Sequence, residues 1–144
     1  MNRQNAEVTL YDTTLRDGAQ MEGISLSVED KLRIAERLDH LGVHFIEGGW
    51  PGANPKDDAF FQRAKGLTLR NSTLVAFGST RRAKGTVEGD TQLAALLSSE
   101  APVITIVGKT SESQVSTVLE TSLEENLAMI RESIEYLRGQ GRRV

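Results

Sequence analysis

Cysteine is absent from the 144 residues, which excludes a disulfide framework and any thiolate metal site. Long apolar runs are missing too, and none approaches the roughly 18 residues that suggest a membrane helix. The first residues, Met1 to Glu7, are polar and lack the apolar core of a signal peptide. Nor does either sign of charge dominate. With 17 Lys plus Arg against 20 Asp plus Glu, the formal net charge is −3. That leaves no broad basic field for nucleic acid or an anionic membrane, so a small-molecule partner in the cytoplasm is the expectation.

What is present suffices for a packed domain, since 38% of the residues are hydrophobic. Four short runs, Val8 to Tyr11, Val43 to Ile46, Thr73 to Phe77 and Val103 to Val107, are rich in β-branched or aromatic residues. They are near-continuously apolar, as expected of parallel strands covered on both faces.

Amphipathic segments alternate with these runs. Ser27 caps a helix through Leu41 whose apolar face carries Val28, Leu32, Ala35 and Leu38, with Gly42 as its stop. A second helix starts at Asn54-Pro55 and buries Phe60, Phe61 and Ala64. A third is short, around Thr91 to Leu97. A fourth begins with Ser122 and Glu125 as a capping box, repeats Leu123, Leu127, Ile130, Ile134 and Leu137 along its inner face, and ends near Gly139.

Strand starts near residues 8, 43, 73 and 103 give four βα units in an α/β fold, and Arg142-Arg143-Val144 forms the threshold of a fifth strand. This alternation allows a doubly wound sheet or a barrel, and pattern alone does not choose. A complete (β/α)8 TIM barrel needs about 200 to 250 residues. A barrel reading therefore makes residues 1–144 its N-terminal half, a partial catalytic domain that stops before strand five.

The first strand opens directly into Asp12-Thr13-Thr14-Leu15-Arg16-Asp17-Gly18-Ala19-Gln20. Strand C-terminal ends are where α/β proteins place active sites. Arg16 offers a planar, permanently charged donor for an oxyanion, and Asp17 a hard oxygen ligand for a divalent cation. For an isolated Arg-Asp dipeptide, a structural ion pair at a strand end would be the default.

The nine-residue string changes that weighting, because it resembles the signature of the DRE-TIM metallolyases. That family contains the isopropylmalate, homocitrate and citramalate synthases and 3-hydroxy-3-methylglutaryl-CoA lyase. The similarity extends through Ile46 to Asp57 and Ala76 to Arg82, two stretches most similar to the citramalate branch.

The resemblance implies an acyltransferase that joins acetyl-CoA, as co-substrate, to a 2-oxo acid by Claisen condensation. It also implies a divalent metal, magnesium, manganese or zinc, while the unpaired strand edges of a half-barrel lead to the expectation of a homo-oligomer. Pyruvate as acceptor would give citramalate, and the other synthases or lyase-type cleavage are the alternatives. It assigns the oxyanion-stabilising arginine to Arg16, the metal-ligating aspartate to Asp17, a substrate neighbour to Gln20 and a carboxylate that buttresses the arginine to Glu47.

Arg81 and Arg82 follow the third strand and could meet coenzyme A phosphates or a substrate carboxylate, or remain solvated. Thr105 could line the pocket or simply pack. His40 and His44 read as structural. Relatives usually carry an aromatic, an acid and a histidine where this chain has Ser111 to Val115, and their His-x-His metal pair belongs to later strands.

Asp17 alone is a poor metal site, so the chain by itself is expected to be catalytically silent. A half-barrel also leaves two strand edges unpaired, which favours self-association or flattening into an open layer.

Overall fold

The computed structural model describes residues 8–144, so the polar Met1 to Glu7 lies outside the described residues. Four strands, β1 (Tyr11–Asp12), β2 (Phe45–Gly49), β3 (Thr73–Ser79) and β4 (Val103–Val107), form one parallel sheet in the order β1-β2-β3-β4. The helices are α1 (Val28–Leu41), α2 (Pro55–Ala64), α3 (Thr91–Ser98), α4 (Glu112–Thr117) and α5 (Leu123–Gly139). Among the described residues no helix is long and apolar enough to cross a membrane.

Sequential strand order means that every crossover advances in one direction, as in a barrel, whereas a doubly wound sheet reverses. The sheet is also curled. In a flat sheet β1 and β4 would lie three strand spacings apart, roughly 14 Å. Here the Tyr11 hydroxyl of β1 is 2.8 Å from Thr105 Oγ1 of β4 across the concave face. Beyond β4, Arg143 pairs in parallel with Val103, its carbonyl accepting from Ile104 N at 2.8 Å.

Helices cover the convex face. Ile46, Ala76 and Ile104 project from the strands into a core with Leu32 and Ala35 of α1, Phe60, Phe61 and Ala64 of α2, and Leu93 and Leu96 of α3. Close approach depends on missing side chains. A Cβ on Gly48 would strike the Phe60 ring, and one on Gly78 would lie 2.7 Å from Leu96 Cδ1. Asp39, at the end of α1, accepts from the backbone N–H groups of Arg70, Asn71 and Ser72 and so ties the α2–β3 connection to α1.

The predicted caps form where expected. Ser27 and Asp30 make a reciprocal capping box, Asn54 caps α2 through Lys56 N, and Gly42 ends α1 at φ 84°. That last cap moves a strand boundary. Val43 donates to Leu38 O to close the helix end, so β2 begins at Phe45 rather than Val43. The first strand is likewise two residues long instead of spanning Val8 to Tyr11. Val8 and Leu10 are exposed on the sheet edge, and Leu10 O accepts from both His44 N and Phe45 N in an irregular start to the ladder. Leu10 N in turn donates to His44 Nδ1 at 3.1 Å, a structural use of that histidine.

The last helix differs most from expectation. Ser122 caps it through Glu125 N, but the Glu125 carboxylate does not return to complete the box; it binds Arg81 and Lys84 N instead. Its buried residues are Asn126, Met129, Ser133 and Leu137, while Leu127 is 65% exposed. At 100° per residue, the buried stripe is rotated by roughly 70° from the apolar one.

Candidate active site

The turn after β1 is built by Asp12 and Thr13. Asp12 accepts from Thr14 N and Thr14 Oγ1 at 2.9 and 3.0 Å, an Asx-type turn. The carbonyl of Thr13 then gathers the N–H groups of Arg16, Asp17 and Gly18 at 3.2, 2.9 and 3.1 Å. Leu15, buried in the core, pins this turn, so Arg16 folds back over the sheet while Asp17 faces outward with its side chain 63% exposed.

Arg16 is fixed on three sides. Its Nε donates to Glu47 Oε1, its guanidinium carbon sits 3.9 Å above the Phe77 ring, and Nη1 lies 3.5 Å from Asp17 Oδ1. Phe77 is backed edge-on by Trp50 at 5.1 Å between centroids. Trp50 is held by an Nε1–H bond to Gln92 Oε1 at 2.5 Å. Among the described residues no acceptor engages Arg16 Nη2, which leaves a directed cationic donor at the C-terminal ends of the strands.

Glu47 is only 2% exposed, so its charge needs partners. Arg16 supplies the counter-charge, and the Tyr11 hydroxyl donates to Oε2 at 2.5 Å. Tyr11 as a whole is 42% exposed, yet its hydroxyl is turned inward between Glu47 and Thr105. Burial, and then the bond to the Glu47 carboxylate, raises the phenol well above its usual range, so it stays protonated as a donor. The backbone contributes as well: the parallel register shifts between Glu47 and Gly49, an irregularity that re-aims the chain at the end of β2.

Beside this centre lies a cavity of about 310 Å³ whose lining includes Arg16, Gln20, Trp50, Asn54, Lys31 and Asp57. Arg16 and Gln20 thus line one cavity, Asp17 and Glu47 both touch Arg16, and Thr105, midway along β4, reaches Glu47 through the Tyr11 hydroxyl. Arg81 is not among them. It is 3% exposed, with Nη1 bonded to Glu125 and Nε to Glu132, both at 2.7 Å, while its backbone N donates to Ser133 Oγ. Those carboxylates hold its guanidinium even more firmly protonated. Arg81 thus latches β3 to α5 and does not meet the expectation of a substrate-binding residue.

The segment Ser111 to Val115 leads into α4 as a cap followed by four helical residues. A divalent cation would find Asp17 chemically suitable as one hard oxygen ligand. Among the described residues no group of three His, Cys, Asp or Glu side chains is placed to hold a metal ion. Sequence reasoning missed Tyr11, Phe77 and Trp50 as site residues. Their aromatic positions at or beside strand ends were the available signal.

Comparison with known proteins gives a consistent picture. The chain is 58% identical over 132 residues to an (R)-citramalate synthase of Aquifex aeolicus, covering 92% of this chain and 25% of that protein. It is 57% identical to the (R)-citramalate synthase of Synechocystis over all of this chain and 26% of that protein. A 2-isopropylmalate synthase of Shouchella clausii is 35% identical over 90% of this chain and 24% of that protein. The chain thus spans about a quarter of the length of these relatives.

Among solved structures, the hydroxymethylglutaryl-CoA lyase of Pseudomonas aeruginosa superimposes with a TM-score of 0.72 at 23% identity, over 96% of this chain and 44% of that one. That likeness identifies the fold as the N-terminal part of a TIM barrel. Residues 7–144 match the HMGL-like family model, and the chain belongs to that family, the DRE-TIM metallolyases.

Proposed function

We propose that this chain forms the first four strands of the catalytic barrel of an enzyme that condenses acetyl-CoA with a 2-oxo acid. Pyruvate is the acceptor and citramalate the product, which places the enzyme in branched-chain amino acid biosynthesis. The observation that carries this reading is the Arg16–Glu47 pair at the C-terminal strand ends, with Nη2 of Arg16 unengaged among the described residues. The choice of acceptor is supported by the 56–58% identity to (R)-citramalate synthases.

In the reaction, a base removes a methyl proton from the acetyl thioester. The resulting carbanion carbon bonds to the keto carbon of the acceptor, and the carbonyl π electrons move onto the keto oxygen. Arg16 is the residue of this chain that stabilises that growing negative charge, because its guanidinium is pre-aimed by Glu47 and Phe77 and need not reorganise. A divalent cation, magnesium, manganese or zinc, would supply Lewis acidity toward the 2-oxo acid when bound, with Asp17 as one ligand. Gln20 lines the cavity beside Arg16 where the substrates would lie, and Thr105 touches that centre through the Tyr11 hydroxyl. A proton then passes to the alkoxide to give the hydroxyl, and water cleaves the thioester, releasing the free carboxylate and CoA.

The test is CoA release by the full-length protein, followed by a thiol reagent, with product identification by NMR. Acetyl-CoA and pyruvate with magnesium or manganese should yield citramalate. Arg16→Lys keeps the charge but loses the planar fork, and should lower kcat by roughly a hundredfold or more with a smaller change in KM. Preferential use of 2-oxoisovalerate, cleavage of a 3-hydroxyacyl-CoA, or no CoA release at all would overturn the assignment.

A further inference from the structure

We propose that Tyr11 is a positioning residue for Arg16, acting through Glu47, with Thr105 setting the orientation of the Tyr11 hydroxyl. The proposal rests on the condensation reading above and deepens it. Its geometric basis is a continuous polar chain on the concave face. Thr105 Oγ1 lies 2.8 Å from the Tyr11 hydroxyl, that hydroxyl donates to Glu47 Oε2 at 2.5 Å, and Glu47 Oε1 accepts from Arg16 Nε.

Each link settles the next. Glu47 has two oxygens and two engaged neighbours, so the Tyr11 bond fixes the rotation of the carboxylate plane, and that plane fixes where the Arg16 fork points. The phenol stays protonated, which leaves the Tyr11 oxygen as donor to Glu47 and acceptor from the Thr105 hydroxyl. The chain joins β1, β2 and β4, although β1 and β4 are not adjacent in the sheet. The curl that brings the strand ends around the reaction centre and the aim of the oxyanion donor are therefore set by the same hydroxyl. Packing alone does not require this contact, because the Tyr11 ring already lies 6.1 Å from Phe45.

Tyr11→Phe in the full-length enzyme keeps the ring and removes only the donor. It should lower kcat about tenfold, the scale of one hydrogen bond to a charged group, with KM for both substrates within about twofold. Thr105→Val should produce a smaller loss of the same kind, and Thr105→Ser, which keeps the hydroxyl, should lose less than Thr105→Val. The decisive arm is coupling: in an Arg16→Lys background, Tyr11→Phe should cost little more, because the fork it positions has already gone. Thermal melts of each variant report folding. If the parent condenses acetyl-CoA with pyruvate but Tyr11→Phe matches it in kcat, or if the Tyr11 and Arg16 losses multiply independently, the positioning role is wrong while the condensation reading stands. If the parent itself fails to condense, the underlying reading has failed first.

Discussion

Replacing Asp57 with asparagine tests how the floor beneath the candidate site is held. Lys31 of α1 is 2% exposed, and its ammonium is paired with Asp57 Oδ1 of α2 while lying 5.0 Å over the Phe60 ring. The other oxygen of Asp57 accepts from Trp50 N at 2.9 Å, so one carboxylate joins two helices and the loop that carries the tryptophan. Even Gly49 is shaped around it: its φ of 151° suits glycine, and a Cβ there would lie 2.5 Å from Asp57 Cγ.

Asp57→Asn preserves the shape and the Trp50 bond but leaves Lys31 charged and buried without a counter-ion. Breaking such a pair costs about 3 to 5 kcal/mol, and the retained amide argues for about 3. With a urea dependence near 2 kcal/mol per molar for a domain of this size, the midpoint should fall by about 1.5 M. Trp50 is the sole tryptophan, so its fluorescence in urea reports the transition directly. Lys31→Met together with Asp57→Asn removes both charges and should recover at least half of the loss. A single variant with an unchanged midpoint, or a double variant no better than the single, would refute the buried-pair argument.

Gly78→Ala places a methyl group against Leu96 and should destabilise the chain by about 1 to 3 kcal/mol in the same urea assay. Asp17→Asn in the full-length enzyme should weaken apparent metal affinity and regain rate as magnesium or manganese is raised, whereas Arg16→Lys should not. Acid should erode folding from about pH 5 downward. Bonds from Arg81 and from Lys84 N hold Glu125 below the usual glutamate value, and three backbone N–H groups outweigh burial to do the same for Asp39. Groups with depressed native values stabilise above their unfolded values of about 4 and lose that stabilisation as pH falls through the lower native ones. Melting temperatures should therefore be level from pH 7 to about 5 and fall below that, and a level profile to pH 3 would contradict these assignments.

The strands and caps were legible because they are local. Ser27, Asn54 and Gly42 act through residues within five positions of themselves, so their sequence signals suffice. The orientation of α5 was not. Its apolar stripe is real, yet Asn126 turns inward to bond Lys109 O and Ser133 to receive Arg81 N, and backbone groups at the strand ends outbid the leucines for the buried face. Arg81 illustrates the same limit, since the two acids that occupy it lie 44 and 51 residues downstream. Arg16, Asp17 and Gln20 stand in one contiguous motif, which is why the sequence singles them out. Tyr11 reads in the sequence only as strand, because its partners are 36 and 94 residues away and meet it only once the sheet has curled.

The Arg81 latch also limits how α5 can move. Glu125 and Glu132 stand seven residues apart, about two helical turns, and one guanidinium reads both. Sliding the helix by a single turn, about 5.4 Å, would bring the wrong residue to each nitrogen. The buried arginine thus acts as a mechanical stop, and any adjustment of the helix on substrate binding must be a tilt about that point and not a translation along its axis.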